Sequence, residues 1–268
     1  MRWSDTTPRK FTYEVGFNMT YFNSLWKVKA DEALSDLMNP YKRQTHQTDY
    51  YGLGYIDTGL YQNKEDILNS PRRLGSTQTK LGDIGYTDVN GDGKIDGEDQ
   101  VRIGKPTMPH FTYAFDFSLG YEGFTLSGLL YGTGERYMTF GNRYQSGEGK
   151  YLYYENQLNY WRPDNTGADF PRISISSGVN GNNNKAGSTF WMRNASYLRL
   201  KDLQLSYDFK YKYLKKCDWL QTCRVNLSGS NLFTISGVSK FFDPETSSTS
   251  GDGYPVQRVY SIGVTIGF

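Results

Sequence analysis

The stretch that most constrains this chain is its last, Gln257 to Phe268, which reads QRVYSIGVTIGF and alternates without a slip. Tyr260, Ile262, Val264, Ile266 and Phe268 fall on one side; Val259, Ser261, Gly263, Thr265 and Gly267 fall on the other. Successive side chains of a strand point to opposite faces, so this spacing predicts a ribbon with one apolar surface and one small or polar surface. Phe11–Tyr21 and Phe111–Tyr121 repeat the pattern at full length. Phe124–Gly132 repeats it less regularly, and Leu203–Phe209 and Cys223–Phe233 complete a set of six strands. Upstream of Leu203 the phase slips near Lys201–Asp202, which points to a bulge or to the end of the regular span.

Length and composition decide which solvent the ribbons meet. Strands of soluble proteins average roughly five or six residues, whereas the alternations here run to ten or eleven, close to what a tilted membrane-spanning strand needs. The second face is rich in Thr, Ser, Gly and Asn and poor in Lys and Glu, which suits a hydrated lumen better than a solvated sheet. Aromatics at the strand ends (Phe11, Tyr21, Phe111, Tyr121, Tyr260, Phe268) fit interfacial girdles. The closing Ser261, Gly263, Ile266 and Phe268 fit the terminal signal that marks outer-membrane barrels for insertion. A content of 16% aromatic residues with 29 Gly reads as all-β. The net charge of +2 is scattered, so no case for nucleic acid arises. No apolar run of about 18 residues is present, which excludes a spanning helix but not a spanning barrel. The start, MRWSDTTPRKF, has no apolar signal-peptide region, so the expectation is a piece of something longer.

The connections agree. Phe22–His110, Thr133–Ser196 and Thr234–Val256 are long, Glu122–Gly123 is tight and Lys210–Thr222 is moderate. Long outer loops alternating with short periplasmic turns are expected of an outer-membrane barrel. Strand parity puts all three long loops on the outside if the C-terminus is periplasmic.

Within the first long loop lies DVNGDGKIDGED, residues 88–99. Side-chain oxygens recur at Asp88, Asn90, Asp92 and Asp96, Asp99 closes at the twelfth position, and Gly93 sits where the loop must turn sharply. Lys94 would offer its backbone carbonyl. A hard cation takes six to eight oxygens, and this spacing wraps them around one centre, so a structural calcium ion is expected. Asp rather than Glu at the twelfth position resembles dockerin-type loops, and no flanking helix pair is visible. The alternative is a Gly/Asp-rich turn without metal.

The aromatic run Tyr151–Trp161, with Arg162 and Asp164 nearby, can stack on sugar rings, but the favoured reading is that it packs the loop itself; Trp191 and Arg193 are read the same way. Cys217 and Cys223 lie in or beside a short turn, where either a disulfide or two free thiols is allowed. His46 and His110 are too far apart in sequence for a zinc cluster. No nucleophile elbow, phosphate loop or paired-acid arrangement stands out, so no enzymatic activity is expected.

Several segments together resemble the C-terminal part of the SusC/RagA family of TonB-dependent outer-membrane transporters. They are YEVGFNMTY, DEAL, NPYKR, GYIDTGLYQNKEDI, the run from GDIGYTDVNGDG through FSLGYEGFTLSGLLYG, WMRNASYLRLKDLQLSY, VNLSGSNLFTISG, FDPE and GVTIGF. The similarity runs through nearly the whole chain, residues 1–268 being read as one C-terminal barrel segment, with Gly134–Asn194 the least distinctive. It implies an all-β, antiparallel up-and-down transmembrane β-barrel segment: about six C-terminal strands of a larger, 22-stranded barrel, a size at which outer-membrane transporters carry a plugged lumen. The plug, the TonB box and the earlier strands have no counterpart here. The resemblance further implies a place in the cell outer membrane, a SusD-like surface lipoprotein as lid, energy through TonB, and import of oligosaccharides or peptides. A second reading of the same residues is a secreted, calcium-stabilised, carbohydrate-binding β-domain.

Overall fold

Each of the six alternating stretches is a strand, and a seventh precedes them. The computed structural model describes residues 1–268 except 9, 49–51, 74, 76–77, 146–153, 174–178, 247–248, 250–252 and 255. The strands are β1 (Arg2–Thr6), β2 (Thr12–Tyr21), β3 (Phe111–Tyr121), β4 (Phe124–Gly134), β5 (Tyr197–Asp208), β6 (Thr222–Ser236) and β7 (Val259–Gly267). They form one sheet in sequence order, every neighbouring pair antiparallel. The sheet is an up-and-down meander whose edges are β1 and β7. The expected count of six rises to seven because β1 carries a single large apolar residue, Trp3, and so shows no alternating row.

Register joins the apolar rows into one surface. Phe17 pairs with Phe115, Phe115 with Leu130 and Leu130 with Leu200; Leu126 pairs with Leu205, Leu205 with Leu227 and Leu227 with Ile262. A one-residue slip would turn a whole strand's apolar set to the other face, so this agreement across six strands is strongly specified. The apolar surface lies open: Phe17 is 47% exposed, Leu227 51% and Ile262 73%. Among the described residues no second sheet of comparable size lies in the fold to cover it. The phase slip near Lys201 is a bulge, with Lys201 the extra residue against the Leu129–Leu130 step of β4. Past that bulge β5 runs back to Tyr197, longer than the alternation alone shows.

The connections fall on two ends. Residues 7–11, 122–123 and 209–221 turn at one end; 22–110, 135–196 and 237–258 occupy the other. The tight connection is a two-residue hairpin with Glu122 at φ 46° and Gly123 at φ 86°. Both values are positive, as a type I′ turn requires to match the twist of the strands it joins.

The long loops are not structureless. They carry short strand pairs, including Asp57–Leu60 with Ile84–Tyr86 and Tyr137–Thr139 with Met192–Asn194. They also carry helices α1 (Leu34–Met38) and α2 (Lys64–Asn69), the latter opened by an Asn63/Asp66 capping box. The main hydrophobic core sits here rather than on the sheet: Tyr55, Ile84, Tyr86 and Ile95 from the first loop meet Phe140, Tyr144, Phe170 and Trp191 from the second. Phe241 and Phe242 of the third pack against them. Asp83, fully buried, accepts hydrogen bonds from Arg172 Nε (2.7 Å), Asn184 Nδ2 (3.0 Å) and the Lys80 amide (2.9 Å), stitching the first loop to the second. The three loops therefore form a packed head at one end of the sheet.

Candidate functional site

The polar side of the sheet carries an ordered set of charges. Arg2 on β1 meets Glu14 of β2 at 3.3 Å and Asp116 of β3 at 3.2 Å, and Ser230 of β6 donates to Asp202 of β5 at 2.8 Å. Gly16 makes the second contact possible, since a Cβ there would collide with the Asp116 carboxylate. These groups are half-exposed, so their pairing orders the wall more than it stabilises it.

Nearer the head the pairing is buried. Arg199 of β5, whose side chain is 1% exposed, donates to Thr234 Oγ1 (2.8 Å), Glu245 Oε2 (2.9 Å) and Asp243 Oδ2 (2.6 Å). Lys201 Nζ (2.8 Å) and the Tyr197 hydroxyl (2.6 Å) also donate to Glu245. The FDPE segment of the third long loop is thereby latched onto β5. Arg136, just past β4, adds bonds to the carbonyls of Thr107, Pro244 and Thr246, so the roots of all three loops meet at one place. Burial works to raise the Glu245 carboxyl, but Lys201, Tyr197 and Arg199 outweigh it and hold the group below the usual carboxylate range. Neither Arg199 nor Glu245 stands out from sequence, because 35 to 48 residues separate the partners.

Within residues 88–99 the side-chain oxygens bond to backbone amides of the same segment. Asp88 accepts from the amides of Gly91, Asp92 and Gly93, and Asp99 accepts from those of Val89, Asn90 and Asp96. Asn90, Asp92 and Asp96 each accept from the amide two residues on. The Gly93 amide, more than those of Gly91 and Asp92, holds the Asp88 carboxyl below its usual value. Lys94 and Ile95 pair in parallel with Arg72 and Arg73, and Ile95, 1% exposed, anchors the loop in the head core. Gly97–Asp99 forms a single 3-10 turn rather than a helix of a flanking pair. In this conformation the carboxylates bond to backbone amides, and among the described residues no three His, Cys, Asp or Glu side chains converge as a metal cage.

The aromatic residues pack the head. Trp161 is 7% exposed, donates to Gln62 Oε1 (2.7 Å) and packs against Gly82, where a Cβ would collide with the ring; Trp191 is fully buried. Tyr151 lies outside the described residues, Tyr154 packs on Tyr144, Arg162 pairs with Asp164 at 3.4 Å, and Arg193 lies over the Phe140 ring. Cys217 and Cys223 are free thiols.

An open sheet with an apolar outer surface, a polar charged inner surface and connections sorted by length defines a wall segment of a β-barrel. No family model matches the chain. It is 27% identical over 228 residues to TonB-dependent receptor P3 of Formosa agariphila, covering 80% of this chain and 22% of that protein. To TonB-dependent receptor P26 of the same organism it is 26% identical, covering 78% and 22%. Among solved structures, the RagAB peptide transporter matches with a TM-score of 0.70 at 20% identity, covering all of this chain and 28% of the other. The RagAB peptide importer in its closed-closed state matches with a TM-score of 0.68 at 21% identity, with the same coverage. The chain thus resembles, in sequence and in fold, a segment of a SusC/RagA-type TonB-dependent transporter, and it spans about a quarter of the length of these relatives.

Proposed function

We propose that this chain is wall and outer surface of an outer-membrane active transporter. In this reading residues 1–268 are the C-terminal part of its barrel, and nutrient, oligosaccharide or peptide, enters past a SusD-like lipoprotein lid with energy delivered through TonB. The observation that carries it is the unpaired apolar surface of the seven-stranded sheet, which in register faces one way and lies open. Lipid tails satisfy that surface and water does not. The named relatives, receptors and a transporter, support a role in import rather than in catalysis. The polar surface borders the solute path, and the head is where a lid would meet the barrel.

The competing secreted, carbohydrate-binding domain would keep its apolar rows away from water. Purified without detergent, the chain should aggregate. A monodisperse β-rich monomer in plain buffer would favour that second reading.

Calcium in the 88–99 loop is part of the proposal. Asp88, Asn90, Asp92 and Asp96 would turn side-chain oxygens to the ion, Lys94 its carbonyl and Asp99 its carboxylate. The turn of the loop around its own amides, which brings the carboxylates of Asp88 and Asp99 onto backbone N–H groups of the same segment, supports it. The ion would stiffen the first loop where Ile95 meets the core. Calcium at about a hundredfold excess over its Kd should stabilise the head by about 2–3 kcal/mol, and Asp88→Ala/Asp92→Ala should abolish the effect. Equal stability with calcium and with chelator would remove the ion from the account.

A further inference from the structure

The connection 209–221, at the end of the sheet opposite the head, differs in length and charge from the two others at that end. It reads FKYKYLKKCDWLQ, with four lysines and one acid. A single 3-10 turn at Phe209–Tyr211 opens it, and the amides of Tyr213 and Leu214 donate to the Phe209 carbonyl at 3.0 and 2.9 Å. At its far side the Gln221 amide donates to the Gly267 carbonyl at 2.7 Å, so the segment folds back onto the strand ends. That folding fixes the side on which its rings lie. Tyr213 lies 6.2 Å from both Tyr207 and Phe209, and Trp219 stacks on Phe268 at 5.7 Å. Tyr207 pairs with Phe124 and Val225, on the same face as the paired Leu126, Leu205 and Leu227, and Phe268 continues the row of Ile262, Val264 and Ile266. The rings of the turn therefore extend the apolar surface of the sheet, not the polar one. They lie open on it, Tyr213 at 69% exposure and Trp219 at 67%.

Beside the rings stand Lys212, Lys215 and Lys216, all exposed, and among the described residues none of them pairs with a carboxylate. Lys210 differs, since its ammonium donates to the Leu220 carbonyl within the turn. Acids nearby are few: Asp218 in the turn, Asp208, which faces Arg224 at 3.9 Å, and Glu122 in the neighbouring hairpin, on whose Gly123 Tyr211 packs. We propose that this turn docks on anionic phospholipid headgroups of the periplasmic leaflet. Lys212, Lys215 and Lys216 meet the lipid phosphates, and Tyr213 and Trp219 sit at the boundary with the acyl chains. The proposal rests on the transporter reading, which sets the apolar rows in lipid and this end at the periplasm, and adds a lipid preference to it. Tyr and Trp collect at headgroup level because their rings have an apolar body and a polar edge. A lysine rooted there lays its stem along the chains and lifts its ammonium to a phosphate. Attraction to anionic lipid fades within a Debye length, so only basic residues held at the surface gain from it. A merely solvated lysine run has no need of rings turned to the lipid side. Both features in one short turn favour a membrane surface over an acidic protein.

The test uses the intact transporter in which this segment sits, in bilayers of phosphatidylcholine and phosphatidylglycerol. Cys217, in the turn itself, carries a bimane fluorophore, and every other cysteine is replaced by Ser. Either lipid, bearing a nitroxide near the headgroup end of one chain, quenches the fluorophore according to its local concentration. Phosphatidylglycerol should be enriched about fivefold over phosphatidylcholine at low salt, and the enrichment should largely vanish near 1 M salt. Lys212→Gln/Lys215→Gln/Lys216→Gln should bring the two lipids level, whereas Arg at the same three positions should keep the preference. Equal quenching by both lipids in the native protein would overturn the proposal, and is the result expected if the turn meets an acidic protein instead. A preference that the Gln variant retains would overturn it as well. A second bimane reporter, at Ile262→Cys on the apolar row of β7, separates the proposal from its premise. It should be quenched by both lipids alike in the native background and in the Gln variant, which also shows that the variant inserts. No quenching there would overturn the transporter reading and the proposal with it.

Discussion

Trp191→Ala should destabilise the head by about 4 kcal/mol, the largest single effect expected in this protein. The indole is fully buried where the first and second long loops meet, with edge-on contacts to Phe140 (6.2 Å) and Phe190 (5.1 Å). Its Nε1 donates to the Asn184 carbonyl at 2.9 Å, and Asn184 accepts in turn from the Ile84 amide and donates to Asp83. Truncation removes packing from both loops, leaves a cavity and orphans a carbonyl in the same network. Amide hydrogen exchange at Ile84–Tyr86 should quicken by two to three orders of magnitude, while β3 and β6, held by the sheet, should keep their protection. Equal loss in head and strands would mean that the two do not open separately.

Arg199→Met should cost about 3 kcal/mol. It leaves Asp243 and Glu245 beside an apolar side chain, with Lys201 still paired to Glu245. The cost arises from carboxylates that lose the guanidinium, so acid should relieve the part that Glu245 carries. In the native protein the Glu245 carboxyl sits below its reference value of 4.5, so its contribution is fully present above about pH 4.5 and is lost as pH falls through the lowered value. Between pH 7 and pH 3 the native head should therefore lose stability that the variant has already lost, and the gap between them should narrow. Protease cleavage within 237–246 reports the latch; a gap independent of pH would show that Arg199 acts through packing alone.

The sheet was legible because a strand's period of two is written directly in Phe11–Tyr21, Phe111–Tyr121 and Gln257–Phe268. Where the period breaks, the sequence reading falls short. Lys201 shifts the phase of β5, so Leu198 and Leu200 read as out of step although register places them on the apolar face. Leu129 and Tyr131 blur β4 because they are large residues on the polar side of the sheet, opposite Asp116 and Ala114. The head was harder still. Its aromatics are spaced irregularly and its partners lie far apart in sequence, as with Asp83 and Arg172 or Tyr55 and Ser188. No local period encodes such contacts; they follow only once the sheet has brought the loop roots together. The turns within 88–99 follow local rules, each side chain bonding an amide within a few residues; only Asp99 reaches back across the loop.

The central claim is that the apolar rows meet lipid and the polar rows meet water. Nitroxide labels placed singly at residues 259 to 266 of the membrane-inserted protein, with both native cysteines replaced by Ser, measure this directly. Collision with lipid-soluble oxygen should peak at Tyr260, Ile262, Val264 and Ile266, and collision with a water-soluble nickel chelate at Ser261, Gly263 and Thr265, with a period of two. Uniform exposure to the chelate along the strand, or uniform protection from both reagents, would contradict it.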